Sequence, residues 1–327
     1  MSDHSSHWQP TASLAALRAR AELNAKIRAY FASQNVLEVE TPLLAAAATL
    51  DPNIEPLQTV CSAVNHPLYL QTSPEYAMKR LLAAGSGSIY QLGKAFRDDA
   101  CARRHNPEFT LLEWYRVDFD WRELVDDVAA ITRLSLGDLP LTLISYGDLF
   151  EQHLDINPHR AAADELANIA RDIFDLGFET ADRDTWLNLL FAAVIEPTLG
   201  FDENGEKELC IVFDYPASQA ALARIVDDAN GDCVAQRFEV FVNGMELANG
   251  YQELTDANEQ RQRFTQEQQL RGEKGLPMRD SDARLIAALE NGLPSCSGIA
   301  LGVDRLLMLQ LGVESIEQVL AFSTQNA

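Results

Sequence analysis

The sequence predicts an α+β fold in which an antiparallel β-sheet is flanked by helices. Its strand-like runs follow one another mainly through hairpins, not through regular β–α–β units. Segments with helical periodicity occur near both ends of the chain and through its middle. No repeat, low-complexity linker or clear boundary divides the 327 residues. We therefore predict one domain over residues 1–327, with residues 1–11 as a disordered tail.

The first third of the chain predicts two helices and a hairpin. Residues 12–34 place Leu14, Leu17 and Phe31 at helical spacing. The β-rich run VLEVETPLL follows and is interrupted by Pro42. Ser73-Pro74-Glu75 is typical of a helix start, with an N-cap, a proline and an acid in the first turn. Residues 89–97 and 109–117 predict two strands, joined by a polar loop longer than a structural turn needs.

The remainder of the chain predicts a helical middle and a strand-rich end. Residues 121–200 are mostly helical and acidic, with Gly177 as a helix C-cap. ELCIVFDYP predicts a buried strand, and RFEVFVNGMELANGYQEL predicts strands with turn or bulge signals at Asn243-Gly244 and Asn249-Gly250. Helices are expected over 256–271 and 281–291. GIALGVDRLLMLQL predicts a strand that runs into a helix.

Composition excludes several classes of protein. The net charge of −23 argues against a surface that mainly binds nucleic acid. Five scattered cysteines with no CxxC pair indicate a reducing compartment and no structural zinc. The first ten residues lack the apolar core of a signal peptide, and no apolar run has the length of a spanning helix. We expect a cytoplasmic enzyme that does not enter a membrane.

The hairpin combines residues that suit a nucleotide beside an amine. The period of two places Gln91, Gly93, Ala95 and Arg97 on one face, and it places Phe109, Leu111, Glu113, Tyr115 and Val117 on a face of the second strand. A phenylalanine can stack on a base, and a glutamate can bind an ammonium group. The loop residues Arg103, Arg104 and His105 suit a polyphosphate. From the hairpin alone, an ordinary hairpin with a charged tip is the favoured interpretation.

Two further places carry candidate chemistry. Glu246 and Glu253 are seven residues apart, so strict alternation would place them on opposite faces, whereas a bulge at Asn249-Gly250 would restore one face. Two carboxylates there could hold Mg²⁺, or they could be solvated strand acids. Arg305 follows an apolar strand and lies near a helix N-terminus, which favours anions. The alternative is a helix-start arginine with Asp304 as the cap.

Together these segments resemble the three signature motifs of class II aminoacyl-tRNA synthetases. VLEVETPLL resembles motif 1, FRDDACARRHNPEFTLLEWY resembles motif 2, and GIALGVDRLLML resembles motif 3. The segments RHNPEFT and MELANGYQEL are similar to the corresponding segments of lysyl-tRNA synthetases. The match spans nearly the whole chain. The resemblance implies the antiparallel synthetase sheet, and it implies a homodimer formed through the motif 1 helix and strand, residues 12–44.

The chain departs from lysyl-tRNA synthetases at its start, where only about forty residues precede motif 1 and no anticodon-binding domain is expected. This arrangement resembles the elongation factor P lysyltransferases, also called elongation factor P–(R)-β-lysine ligases. The resemblance implies that ATP activates (R)-β-lysine as an aminoacyl-adenylate, which is transferred to a lysine of elongation factor P, without tRNA. Two alternatives remain at this point: a short lysyl-tRNA synthetase that charges tRNA, and a nucleotide-sensing paralogue without catalysis.

The resemblance also implies residue roles. Arg97 and Arg305 are the catalytic candidates, contacting the α-phosphate and the γ-phosphate of ATP. Glu246 and Glu253 are the candidate Mg²⁺ ligands. The ATP-binding set is Arg97, Asp98, Asp99, His105, Asn106, Phe109, Glu246, Leu247, Gly302 and Arg305. The substrate-binding set is Ser73, Pro74, Glu75, Glu113, Tyr115, Glu253 and Ala300.

Ala300 predicts a preference between two lysines. Glycine occupies this position in the lysyl-tRNA synthetase motif. The alanine methyl would crowd an α-amino group next to the carboxylate, whereas a β-amino group sits one carbon further along. We therefore expect (R)-β-lysine to be preferred over α-lysine. The alternative is that Ala300 only packs under the strand and that selectivity lies in residues 73–75.

Overall fold

A computed structural model of the chain describes residues 8–327, and these residues pack into two compact units. The first unit runs up to Phe119 and also contains Ala130–Gly137 and Thr255–Ala327. The second unit contains Asp120–Ala129 and Asp138–Leu254. The prediction of one domain over residues 1–327 stays a prediction.

The helices and strands are numbered in chain order. The helices are α1 (Leu14–Ser33), α2 (Glu75–Ala83), α3 (Trp121–Leu136), α4 (Tyr146–Leu154), α5 (Ala163–Ile173), α6 (Arg183–Leu190), α7 (Ala257–Glu273), α8 (Ala283–Gly292) and α9 (Val303–Leu311). The strands are β1 (Leu37–Glu38), β2 (Leu44–Ala45), β3 (Gln58–Thr59), β4 (Leu68–Leu70), β5 (Ile89–Phe96), β6 (Glu108–Val117), β7 (Leu141–Ser145), β8 (Leu209–Pro216), β9 (Ile225–Asp227), β10 (Cys233–Val242), β11 (Met245–Gln252) and β12 (Cys296–Gly302).

The first unit is built on strands in the order β1-β5-β6-β12, with a small second sheet in the order β2-β4-β3. β5 and β12 both pair antiparallel with β6, while β1 pairs parallel with β5. The predicted hairpin of residues 89–97 and 109–117 is therefore confirmed, with bounds shifted by one residue at two of its ends. Motif 3 is confirmed as a strand, β12, that runs directly into α9.

Helix α1 covers one face of these strands. Ser13 caps the helix by accepting a 3.1 Å hydrogen bond from the amide of Ala16. At the other end of α1, the Phe31 ring stacks on Tyr90 with centroids 4.2 Å apart and meets Trp114 edge-on at 5.6 Å. Because successive strand residues alternate between faces, the neighbours of Tyr90 and Trp114 face the opposite side. That side carries the candidate site.

The second unit places its strands in the order β11-β10-β8-β7, and β9 also pairs with β10. A two-residue turn joins β10 to β11, with φ values of 55° at Asn243 and 62° at Gly244. Two consecutive positive φ values define the type I′ turn that suits a hairpin, so this turn prediction is confirmed. A buried cluster that includes Tyr146, Trp186 and Phe241 joins α4, α5 and α6 to β8 and β10.

The fold class is confirmed, because the sheet of each unit is mainly antiparallel and is packed with helices. Three local predictions differ from the structure. β7 lies within a stretch predicted to be helical, and it pairs parallel with β8. Gly177 does not cap a helix, since α5 ends at Ile173 with Phe174 as its C-cap in extended conformation. The bulge in β11 falls at Leu247, because Val240 pairs with Ala248 and Phe241 with Glu246.

The start of the described chain is held by the C-terminal region. The amide of Thr11 donates a 2.9 Å hydrogen bond to the carbonyl of Ala321, and its hydroxyl donates a 2.7 Å bond to the carbonyl of Leu320. Thr11 belongs to the tail that the sequence predicts to be disordered. Residues 1–7 of that tail lie outside the described residues.

Candidate active site

The candidate site lies on the face of the first unit's sheet that α1 does not cover. Residues that pair directly across antiparallel strands share a face. Gln91 pairs with Glu113, which pairs with Ala300, and Gly93 pairs with Leu111, which pairs with Gly302. The predicted faces of the two hairpin strands therefore coincide. Small residues on this face leave room above the strands for a ligand, and Gly302 also precedes α9 as its N-cap.

Glu113 is a buried carboxylate held by two neutral donors. Its exposed fraction is 2%. The Ser73 hydroxyl donates to Oε2 at 2.6 Å, and the Tyr115 hydroxyl donates to Oε1 at 2.7 Å. Burial of an ionised group is costly unless hydrogen bonds or a counter-charge compensate it. This arrangement suits a carboxylate that binds a ligand ammonium group, and it connects three of the predicted substrate residues.

The start of helix α2 forms the next part of the site. The helix begins at Glu75 with Pro74 as its N-cap, one residue later than predicted. Ser73 Oγ accepts a 3.0 Å hydrogen bond from the Glu75 amide while donating to Glu113. The Glu75 carboxylate accepts a 2.7 Å bond from the ammonium of Lys79, which is 2% exposed. A buried lysine thus fixes the Glu75 side chain from within the same helix.

Arg97 and Phe109 lie together at the open end of the hairpin. The guanidinium of Arg97 lies 5.2 Å from the centroid of the Phe109 ring. Arg97 follows the last residue of β5, and its amide donates a 2.9 Å bond to the carbonyl of Pro107, which closes the hairpin ladder. The structure therefore places a cation and an aromatic ring beside each other, an arrangement that suits a phosphorylated nucleoside.

The loop between β5 and β6 contacts motif 3. His105 Nε2 lies 3.0 Å from Nη2 of Arg305. A guanidinium can only donate, so Nε2 accepts in this contact. Asn106 donates to the carbonyl of Glu108 at 2.6 Å and accepts from the amide of Thr324 at 3.1 Å. The loop is therefore anchored at His105 and Asn106, and Asp98 and Asp99 at its start are exposed.

Asp304 joins motif 2 to motif 3. Its side chain is buried and accepts a 2.6 Å hydrogen bond from the amide of Thr110. It also forms an ion pair with Arg20 of α1. No side chain caps α9, so the alternative interpretation of Asp304 as a cap is wrong. The carboxylate instead connects the neighbour of Phe109 to the neighbour of Arg305.

In the second unit, the bulge at Leu247 places Glu246 on the same face as Asn249 and Tyr251. Without the bulge, Glu246 would alternate to the other face. The Asn249 amide group donates a 3.0 Å bond to the Tyr251 hydroxyl. Glu253 follows the last residue of β11 and is 3% exposed. The shared face of Glu246 and Glu253 stays a prediction, whereas the alternative of two solvated acids is wrong for Glu253.

Glu239 of β10 is a further carboxylate on this face, because it pairs with Asn249. The Tyr215 hydroxyl donates to it at 2.6 Å, and Arg237 forms an ion pair with it. Burial raises the pKa of Glu239, and the Glu246 carboxylate raises it further, while Arg237 and Tyr215 oppose these effects. Glu239 and Glu246 are therefore two carboxylates on the same face of adjacent strands.

Sequence reasoning missed several of these residues. The contact of Lys79 with Glu75 could have been predicted, since Lys79 lies four residues after Glu75 on one helix. The position of Glu239 near Glu246 was harder to predict, because it depends on the Asn243-Gly244 turn and on the bulge. The ion pair of Arg20 could not have been predicted from local sequence, since its partner Asp304 is 284 positions away.

The described residues bear on two further kinds of segment or site, a membrane-spanning helix and a metal cluster. Among residues 8–327, no helix combines the length and apolarity needed to cross a bilayer. The same residues contain no group of three or more histidine, cysteine, aspartate or glutamate side chains arranged to hold a metal ion. The candidate Mg²⁺ ligands, Glu246 and Glu253, are a pair of carboxylates and not a group of this size.

Comparison with proteins of known family shows where this chain belongs. The family model described as tRNA synthetases class II (D, K and N) matches residues 6–326. A protein of Yersinia enterocolitica named elongation factor P–(R)-β-lysine ligase is 47% identical over 326 residues, covering 98% of each chain. Proteins with the same name from Erwinia tasmaniensis and Histophilus somni are 47% and 44% identical, covering 100% and 98% of each chain. The chain therefore belongs to the class II tRNA synthetase family, and within it to the elongation factor P–(R)-β-lysine ligases.

Proposed function

We propose that this chain activates (R)-β-lysine with ATP and transfers the β-lysyl group to a lysine ε-amine of elongation factor P. The relatives' names supply the two substrates. In the structure, the observation that carries the proposal is the buried Glu113 carboxylate, which shares a face with Ala300. A diamino acid needs a carboxylate for its terminal ammonium and space for its amino group near the carboxyl end.

The chemistry requires orientation and neutralisation of charge more than covalent catalysis. A carboxylate oxygen of β-lysine attacks the α-phosphorus of ATP, the bond to the bridging oxygen breaks, and pyrophosphate leaves. We assign stabilisation of the charge on the α-phosphoryl group to Arg97 and binding of the γ-phosphate to Arg305. Phe109 would stack on the adenine. The ε-amine of the acceptor then attacks the acyl carbon, AMP leaves, and the amine loses a proton.

Within the first unit, we assign the side-chain ammonium of the substrate to Glu113, which Ser73 and Tyr115 hold in place. Glu75 is assigned a second amine contact beside Lys79. Asn106, His105, Asp98, Asp99 and Gly302 are assigned to the nucleotide. The roles of Leu247 and Glu253 in the second unit stay predictions.

For the metal, we keep Glu246 and Glu253 as the proposed Mg²⁺ ligands, because carboxylate oxygens are ligands that this ion prefers. Glu239 is a further carboxylate on the face of Glu246, but it already forms an ion pair with Arg237 and accepts a hydrogen bond from the Tyr215 hydroxyl. When bound, Mg²⁺ would neutralise phosphate charge.

We also propose a homodimer in the cytoplasm. The motif 1 region exposes three leucines, Leu37, Leu43 and Leu44, which a second copy could cover in a symmetric interface. Light scattering of the wild type should give the mass of a dimer, and Leu44→Asp should shift it toward a monomer. Val60→Asp, at another exposed apolar residue, is the matched control and should stay dimeric. A wild type that is monomeric and active would contradict the proposal.

The first test is pyrophosphate exchange with ATP. We expect pyrophosphate exchange that depends on (R)-β-lysine. We also expect no stable aminoacyl-tRNA when the protein is mixed with lysine, ATP and bulk tRNA. Stable charging of tRNA would favour the short lysyl-tRNA synthetase. No exchange with either lysine would favour a nucleotide-sensing paralogue, although Arg97, Arg305, Glu246 and Glu253 are all present.

A further inference from the structure

A network of charged residues in the first unit ends at the backbone next to Arg97. Its centre is Glu55, in the segment between β2 and β3. The Glu55 carboxylate bonds Nη2 of Arg271 at 3.2 Å and also pairs with Arg279. Arg271 lies at the end of α7, and Arg279 lies shortly beyond it. Two cations from one part of the chain thus meet one carboxylate from a distant part.

Both guanidiniums are buried, with side-chain exposures of 0% for Arg271 and 5% for Arg279. Removing a charged group from water costs several kcal/mol unless a partner compensates it. Arg271 also donates to the carbonyls of Pro277 at 3.0 Å and Asp51 at 3.3 Å. The arginines therefore hold both ends of the segment 51–55 in place.

The backbone of Glu55 transmits this anchoring to the candidate site. Its carbonyl accepts a 2.7 Å hydrogen bond from the amide of Asp98. The two preceding amides are also fixed, since Phe96 donates to the carbonyl of Gln71 and Arg97 to that of Pro107, both at 2.9 Å. Three consecutive amides are thus bonded to three separate segments, and Arg97 is the central residue.

The side chain of Arg97 depends on this backbone support. Its Nε is buried and has no hydrogen-bond partner among the residues that the structure describes. The direction of the guanidinium is therefore set by the backbone and by the contact with the Phe109 ring. A displacement of about 1 Å at a reacting group can lower a rate by about 100-fold.

We propose that Glu55 is a positioning residue for adenylate formation. By binding Arg271 and Arg279, it holds its own carbonyl against Asp98 and thereby fixes the direction of Arg97. This inference rests on the proposed role of Arg97. Glu55 needs no contact with ATP or lysine for this function, because it acts through the backbone bond.

The test uses the full-length chain and the variant Glu55→Gln. This variant keeps the backbone carbonyl that bonds Asp98 and the shape of the side chain, but it removes the negative charge. We expect kcat for β-lysine-dependent pyrophosphate exchange to fall about tenfold or more, while the KM for ATP changes less than threefold. Amide hydrogen exchange in the peptide that contains Asp98 should become faster. The matched control is Glu290→Gln, which breaks an ion pair between α7 and α8 and should leave both measurements at wild-type values.

Arg279→Met tests the same anchor if Glu55→Gln folds poorly. It should likewise lower kcat and speed up amide hydrogen exchange in the peptide that contains Asp98. The double variant should lose less than the product of the two single effects, because both act through one anchor. A kcat within twofold of wild type, or an unchanged exchange rate at Asp98, would overturn the proposal. A wild type that shows no β-lysine-dependent exchange would instead contradict the proposed function. Hydrogen exchange at Asp98 would still report on the anchor.

Discussion

The carboxylate of Asp304 accepts a hydrogen bond from the backbone amide of Thr110, with 2.6 Å between the two atoms. This bond joins the strand that carries Phe109 to the helix that carries Arg305. The two residues proposed to bind opposite ends of ATP are therefore held by one buried side chain. Arg20 neutralises that side chain from α1.

Removal of the Asp304 carboxylate should destabilise the fold. Asp304→Ala leaves the Arg20 guanidinium without its ion pair and the Thr110 amide without its acceptor. Breaking a buried pair typically costs about 3–5 kcal/mol of the free energy of unfolding. Denaturant titration should show a loss of this size. Glu314→Ala, which breaks an exposed pair with Arg103, should cost less than about 1 kcal/mol. Equal losses in the two variants would contradict the assignment.

The two site arginines should differ kinetically. Arg97→Ala should lower kcat for pyrophosphate exchange more than it weakens ATP binding, because its charge acts where charge develops in the transition state. Arg305→Ala should mainly raise the KM for ATP, because the γ-phosphate is already present in the ground state. Steady-state exchange kinetics separate the two effects. Near wild-type exchange by Arg97→Ala would show that the motif 2 assignment is wrong.

Ala300 should set the preference between the two lysines. It pairs with Glu113 across β6 and β12 and shares its face, so its methyl group lies on the ligand side of the strand. Crowding by one methyl in a tight site costs about 1–3 kcal/mol, which corresponds to discrimination of about 10- to 200-fold. Ala300→Gly should shift activation toward α-lysine. Activation assays with both lysines should reveal the change, and an unchanged preference ratio would refute the steric explanation.

Glu267 should make stability depend on pH. The pKa of this glutamate of α7 is raised to about 8, mainly by burial and also by the Asp51 and Glu75 carboxylates, while Arg263 and Arg271 oppose the shift. Between the unfolded value of about 4.3 and pH 8, the folded protein retains a proton that the unfolded chain has lost. The free energy of unfolding therefore falls as pH rises through this window.

Glu267→Gln should remove this contribution, so the variant should lose less stability than wild type between pH 5 and pH 8.5. Chemical denaturation at the two pH values measures the difference. Glu273→Gln alters an exposed glutamate at the end of the same helix and should follow wild type. Parallel pH profiles for wild type and Glu267→Gln would contradict the raised pKa.

Local patterns predicted the elements that form the first unit's site. The period of two placed Glu113 and Phe109 on one face, and the pairing of β5 with β6 confirms it. The turn at Asn243-Gly244 could also be predicted from the sequence, because two consecutive positive φ values restrict the residue types that a turn can contain. These features depend on neighbours in sequence, so a local pattern is enough to find them.

Relations between distant segments could not be predicted. The Asn249-Gly250 pair predicts a bulge at that position, whereas the register of β11 shifts at Leu247. The strand β7 lies in an acidic, helix-rich stretch, and its pairing with β8 decides its conformation. Glu55 and its two arginines are more than 200 positions apart, so their pairing depends on tertiary packing alone.

The most direct measurement is mass spectrometry of elongation factor P after incubation with the wild-type chain, ATP and either (R)-β-lysine or α-lysine. We expect one lysine of elongation factor P to gain the mass of a lysyl group, with faster modification by (R)-β-lysine than by α-lysine. Omission of ATP and the Arg97→Ala variant should both prevent the change. An unmodified elongation factor P, together with stable aminoacylation of tRNA by the same preparation, would contradict the proposed function.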